Sequence, residues 1–216
     1  MAADTVSFVL LSLSSLLVIV NPLGAAMIFV SMTSGFDRET KRHTAIEASW
    51  YAVVVLVVFA LLGGIILELF GISLAAFRIG GGILLFLIGL EMVYAKVSRS
   101  KMTATEKYEG GADDVAIMPI AIPMIAGPGA ITTVIVLMDS ARGLGLWAYI
   151  EVFFSIAVIS VVTYLMMAYS DVIISRIGQR EIRAVSRIMG ILLIAIAVEF
   201  VIDGLKAAFP LLSGGI

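Results

Sequence analysis

The chain has 216 residues, 61% of them hydrophobic and 14% charged, with a formal charge of −2 and a mean hydropathy of +1.13. That balance lies far from a soluble domain and reads as a membrane protein. The absence of cysteine excludes disulfides and thiolate metal sites.

Six segments reach the roughly 20 apolar residues that a hydrocarbon core requires; they run over 6–33, 45–69, 73–97, 116–139, 146–170 and 185–209. The first has no basic leader region or small-residue cleavage site and reads as a retained helix. It is broken at Asn21-Pro22-Leu23-Gly24, and the second segment carries Glu47 near its start. The third holds Gly80-Gly81-Gly82 and Gly89, a small-residue face for helix packing rather than a phosphate loop, and then Glu91 near its cytoplasmic end. The run Ser98 to Asp114 is the only sizeable loop, so no soluble catalytic or receptor domain fits. The fourth segment is broken at Pro123-Met124-Ile125-Ala126-Gly127-Pro128-Gly129. The fifth carries Glu151 near its start, and the sixth holds Glu199 at greater depth.

The halves match. Gly82 follows Pro22 by 60 residues and opens Gly-Ile-Leu-Leu-x5-Glu, ending at Glu91; Gly190 follows Pro128 by 62 and opens the same string, ending at Glu199. Each half holds three segments, an odd number, so the second must enter the membrane in the opposite direction. The expected fold is an all-α membrane protein of six transmembrane helices, built as two inverted-topology three-helix repeats with helices 1 and 4 discontinuous. Repeat 1 covers 1–97, a cytoplasmic loop 98–115, and repeat 2 covers 116–216. Arg38, Lys41, Arg42, Lys96, Arg99, Lys101, Lys107, Arg176, Arg180, Arg183 and Arg187 gather on one side, against Arg78, Arg142 and Lys206 on the other. The positive-inside bias then puts both termini outside the cytoplasm of a multi-pass protein in the cell membrane. The eleven cations are scattered among acidic residues in three loops, so topology explains them and no nucleic acid partner is expected.

A proline in a membrane helix removes a donor and frees backbone groups. Unpaired backbone at that depth is tolerated only where it is buried in protein or lines a cavity. A lone proline of this kind is ordinarily a locally repaired kink; two at matching repeat positions read as a site. Asn21, the only Asn in the chain, has two readings that stand together, a ligand contact and a cap for the half-helix that Pro22 begins. In the second repeat the positive helix end at Pro128-Gly129-Ala130 welcomes an anionic group. The substrate-site residues are Asn21, Pro22, Leu23, Gly24, Ala25, Ala126, Gly127, Pro128, Gly129 and Ala130, and their small size implies a small, zwitterionic ligand. Glu91, Glu199, Glu47 and Glu151 are coupling candidates, because a carboxyl within a membrane segment can carry a proton; a structural ion pair is the competing role. His43 stands without a second metal ligand, and no Ser with His or Lys at depth forms a catalytic set, so neither an enzyme nor a metal or cofactor site is expected.

Asn21-Pro22-Leu23-Gly24-Ala25 with Phe29-Val30-Ser31-Met32-Thr33, Phe77-Arg78-Ile79 with Gly81-Gly82-Ile83-Leu84-Leu85-Phe86, and Pro119, Pro123 and Gly127-Pro128-Gly129-Ala130-Ile131-Thr132-Thr133 resemble the MarC family of integral membrane proteins over almost the whole chain. Within it the chain looks like the archaeal small neutral amino acid transporters known as SnatA. The resemblance implies a six-helix, inverted-repeat secondary transporter of glycine, alanine and similar amino acids, driven by a cation gradient, with the proton as the expected coupling ion and sodium as the alternative. It carries over to Asn21, Pro22, Gly24, Gly127, Pro128 and Gly129; no coupling residue carries over. Export of drugs or other small solutes in the same fold, and a non-transporting membrane scaffold, remain the competing readings.

Overall fold

Capping and turn chemistry divide the apolar sequence into its helices. The computed structural model describes residues 2–94 and 112–209; Lys96, Arg99, Lys101, Lys107 and most of the 98–115 loop lie outside the described residues. Helix α1 (Ala2–Val20) and α2 (Pro22–Met32) are separated by Asn21 alone, and Thr33 closes α2 by donating its hydroxyl to Phe29 O at 2.8 Å. Asp37 starts α3 (Arg38–Leu69), its Oδ1 accepting from Thr40 N at 3.2 Å. The Thr40 hydroxyl, and after it the Thr40 N–H, hold the Asp37 carboxyl below its ordinary value. Gly71 takes the left-handed turn (φ 65°) that an L side chain would resist, and Ser73 caps α4 (Leu74–Val93) through Ala76 N at 3.1 Å.

After the short α5 (Ala112–Val115), residues Ala116–Ile125 form a wide-turned, π-helical stretch. Met118 and Ile122 there take extended backbone angles, as residues before a proline prefer. Then come α6 (Pro128–Ala141), α7 (Leu146–Ala168), α8 (Ser170–Ile177) and α9 (Gln179–Ala208). The π-helical stretch and α6 meet at a bend of 54°. Among the described residues, five helical spans, or six with this bent pair, are long and apolar enough to cross a membrane, and each overlaps one of the six sequence segments. No strand occurs among the described residues.

The span Ser7–Met32 is central, with 56% of its apolar window buried against 22% for α4 and α9. Around it lie two antiparallel seams. In the first, α3 lies along α7: Ile46, Trp50 and Val53 of α3 line one groove with Ala157, Val161 and Tyr164 of α7, and Ala60 lines another cavity with Tyr149, while Ala45, Ala48 and Ala52 of α3 are fully buried in the core. In the second, α4 lies on α9: Gly82 faces Ala197 and Val201, Gly89 faces Gly190 and Ile194, and Gly204 faces Ala75 and Ile79. Gly81 turns instead to Thr132 of α6, and Gly80 faces open space. The small-residue stripe on the third segment is thus a packing surface, shared between α9 and α6. The outer faces keep Trp50, Leu61, Ile83, Leu87, Phe154, Val161, Ile188 and Ile191 exposed, the apolar belt that lipid covers.

A Cβ on Gly82 would lie 2.7 Å from the Ala197 backbone oxygen, which has no freedom to yield. Gly82→Ala is expected to cost about 1–3 kcal/mol of stability, seen as a lower thermal midpoint in detergent. Gly80→Ala, with nothing within 4 Å, is expected to leave the midpoint unchanged or slightly raised.

Candidate functional site

The first N–H groups of any helix have no intrahelical acceptor, which is costly away from water. At α2 the chain resolves this itself. Asn21 turns into the left-handed region (φ 48°, ψ 70°), Pro22 brings no N–H, and Asn21 Oδ1 accepts from Gly24 N at 3.2 Å. The capping role of Asn21 is realised. A Cβ at Gly24 would collide with the Asn21 amide, so glycine there is what allows the cap to close. Asn21 N still reaches Leu17 O, and Ala25 N reaches Asn21 O, each at 3.0 Å, so this break is one residue long.

The start of α6 is built differently. Gly127 is extended (φ −78°, ψ 171°) and has no side chain to offer as a cap. Ile131 N bonds to Gly127 O at 3.0 Å, which leaves the N–H groups of Gly129 and Ala130 without an acceptor in the helix. The Thr132 and Thr133 hydroxyls donate back to Pro128 O and Gly129 O, each at 2.9 Å, as hydroxyls in membrane helices commonly do. The positive end of α6 is therefore uncapped.

These two helix starts share one cavity. It holds about 60 Å³ and is lined by Asn21 from the first break and by Gly127, Pro128, Gly129 and Ala130 from the second. Ile19, Pro123, Met124 and Ile125 complete its wall, with Ile88 and Met92 of α4. At about 10–15 Å³ for each water-sized atom, the space suits a handful of heavy atoms. Asn21 is its one polar side chain, and with Oδ1 turned to the cap the amide keeps its NH2 donors. The wall thus offers the Asn21 NH2 donors and the positive end of α6.

Of the ten residues expected from sequence, Asn21, Gly127, Pro128, Gly129 and Ala130 line the cavity. Pro22, Ala25 and Ala126 are buried but do not line it, and Leu23 and Gly24 are half-buried. Ile88 and Met92 were not foreseen, because an apolar residue on a helix carries no mark of what it faces. None of the four glutamates reaches the cavity. Glu91 is half-buried beside Met92, and Glu199 is exposed on the outer surface of α9. Glu47 and Glu151 each hold a buried Oε2 without a hydrogen-bond partner among the described residues, with His43 Nδ1 3.5 Å from that of Glu47.

A second cavity of about 480 Å³ opens where α3 and α6 end, lined among others by Glu68, Met138, Asp139, Arg142 and Tyr149. Arg78 of α4 donates to Asp139 Oδ2 at 3.4 Å and to Ser140 Oγ at 3.2 Å, while Arg142 lies 3.5 Å from Asp139 Oδ1. Arg78, read from sequence as a topology signal, thus ties α4 to α6, and Arg142 adds a second cation to Asp139 at the end of α6 itself.

The model of the MarC family of integral membrane proteins matches residues 6–209. The chain belongs to the MarC family. It is 39% identical to a UPF0056 membrane protein of Methanocaldococcus jannaschii over 93% of this chain and 97% of that one. It is 33% identical to the UPF0056 membrane protein YvbG of Bacillus subtilis over 96% and 98% of the two chains. It is 34% identical to YhcE of Escherichia coli over 90% of each. The names of these MarC relatives describe membrane proteins and state no substrate. No solved structure matches the chain.

Removing the Asn21 cap strands the Gly24 N–H. Asn21→Ala is expected to cost about 1 kcal/mol, and Asn21→Asp, which keeps an acceptor at the same reach and tolerates the left-handed region, less; thermal unfolding in detergent compares the two.

Proposed function

We propose that this MarC protein is a secondary transporter of small neutral amino acids such as glycine and alanine, the substrate class of the transporters its sequence resembles. The observation that carries the reading is the cavity joining the two breaks, where an uncapped helix N-terminus and an Asn amide converge on a space of about 60 Å³. An amino acid carboxylate would be held by the Gly129 and Ala130 N–H groups and the helix dipole, without a buried cation. The wall of Ile19, Ile88 and Met92 would limit the side chain. Export of a drug-sized solute is the weaker reading, since pockets for such ligands measure roughly 300–1,000 Å³.

Alternating access is proposed to follow from an inverted repeat with discontinuous helices 1 and 4, residues 1–97 against 116–216. One observation supports that layout: exchanging repeats turns the Gly82–Ala197 contact into the Gly190–Gly89 contact, and both occur. Rocking of one repeat on the other would expose the cavity to each side in turn. Both termini are proposed to lie outside the cytoplasm, in the cell membrane, by the positive-inside bias. For the coupling ion, proton or sodium, the buried, unbonded Oε2 atoms of Glu47 and Glu151 favour this pair over Glu91 and Glu199.

Proteoliposomes containing the protein are expected to accumulate labelled glycine under an imposed proton or sodium gradient, with unlabelled alanine competing. No uptake under either gradient by folded protein would refute the assignment. Gly129→Val, whose Cβ would lie 2.7 Å from Leu85 Cδ2, is expected to abolish uptake. Ile88→Ala, which opens the wall, is expected to admit larger neutral amino acids by about 1–3 kcal/mol in relative preference, read from competition profiles. Glu47→Gln or Glu151→Gln is expected to lose gradient-driven accumulation while keeping glycine exchange; accumulation retained in both would remove them from coupling.

A further inference from the structure

Away from the central cavity, two further cavities lie end to end along the α3–α7 seam and share Tyr164. The first, of about 520 Å³, is lined by Arg38, Glu39, Arg42, Tyr164 and Tyr169 with Leu165 and Ala168, at the arginine-rich end of the helices. The second, of about 450 Å³, continues as an apolar groove over Ile46, Trp50, Val53, Ala157 and Val161. From Arg42 to Val53 the path covers 11 residues of α3, about 16 Å at 1.5 Å per residue, the reach of much of one acyl chain.

The two arginines of the first cavity have no carboxylate partner among the described residues, although Arg42 is hydrogen-bonded to Tyr164. Lys41, between the two arginines, pairs with Asp171 at 2.8 Å. Two guanidinium groups and one Glu39 carboxylate leave the pocket with one net positive charge, matched to a phosphodiester monoanion rather than a phosphate dianion. Guanidinium groups bind phosphate oxygens in a bidentate fork, and tyrosines at a membrane interface keep their hydroxyls at headgroup level. A charged head pocket continuous with an apolar groove has the shape of a phospholipid.

We propose that the α3–α7 seam is a binding site for one anionic phospholipid, its phosphodiester between Arg38 and Arg42 and one acyl chain along Trp50, Val53 and Val161. Basic pockets between membrane helices recognise lipid headgroups in this way. This assignment is independent of the transported substrate.

Trp50 reports on the site directly, because it lines the groove and is one of two tryptophans in the chain. In a Trp147→Phe background, reconstituted into mixtures of phosphatidylglycerol and phosphatidylcholine, quenching of Trp50 by brominated phosphatidylglycerol is expected to exceed that by brominated phosphatidylcholine by about threefold in apparent affinity. The preference is expected to vanish in Arg38→Gln/Arg42→Gln and to survive in Arg176→Gln/Arg180→Gln, which removes two basic residues that line neither cavity. Ala157→Phe, which fills the groove, is expected to reduce quenching by both lipids, with unchanged thermal unfolding showing that the helices remain packed. Equal quenching by the two lipids in the unmutated site, or a preference equally lost in both arginine variants, would overturn the proposal. Erasure of the preference by millimolar glycerol phosphate, with Ala157→Phe without effect, would also overturn it, since a free anion alone would then be recognised.

Discussion

In hydrocarbon a backbone N–H or C=O has no water to turn to, and the rest of this structure depends on how that demand is met at two places where proline interrupts a helix. At the first interruption Asn21 and Pro22 are buried, and at the second Gly127, Gly129 and Ala130 are buried while Pro128 is exposed. The span carrying Asn21 is the central one, and Gly127, Gly129 and Ala130 are buried between it and α4. A proline elsewhere on these outward-facing helices would leave its freed carbonyl against lipid tails. Burial of the breaks is thus a condition for their existence, and it forces them together.

The two breaks answer the same demand in opposite ways. At the first, an amide oxygen closes on Gly24 N and the chain continues as one span, Ser7–Met32. At the second, glycine supplies no cap, the preceding backbone is extended at Met118 and Ile122, and the chain bends by 54°. A Cβ at Gly127 would strike the Pro123 carbonyl, so the residue that leaves the helix uncapped is also the one that lets the bend close. The polarity of the cavity follows from that asymmetry. One wall is self-satisfied and donates only through the Asn21 NH2, while the other holds N–H groups with no partner in the helix, a disposition that suits an anion.

Around this centre the helices are held by close contact rather than by a water-driven effect, since lipid is as apolar as the side chains. The α4–α9 seam runs through Gly82, Gly89, Gly190 and Gly204, and α3 carries fully buried alanines at Ala45, Ala48 and Ala52. Such a seam has few long side chains to disentangle when helices slide. The ion pairs are placed at the ends: Lys41 with Asp171 at one, Arg78 and Arg142 around Asp139 at the other. A movement of one half against the other would have to reorganise these ends, which makes the Arg78–Asp139–Arg142 group part of the energetics of opening the 480 Å³ space beside it.

Sequence alone determined the membrane class, the six apolar segments, their duplicated string and the two proline–glycine breaks, because length, hydropathy and φ restriction are local properties that a membrane amplifies. Residues whose identity restricts the backbone were legible in the same way, so Asn21 as a cap and Gly127, Pro128 and Gly129 as a break could be named in advance. What each helix face meets was not. Ile88 and Met92 look like any lipid-facing residues until α4 is laid on α9, and Glu199, deep by its position in the segment, is on the outside once that pairing is made. Glu47 and Glu151, which lie near helix starts, have buried oxygens for the same reason in reverse. Rotation of a helix about its own axis is decided by which small residues let neighbours approach, a matter of contacts between segments far apart in the chain, and only the tertiary structure contains them.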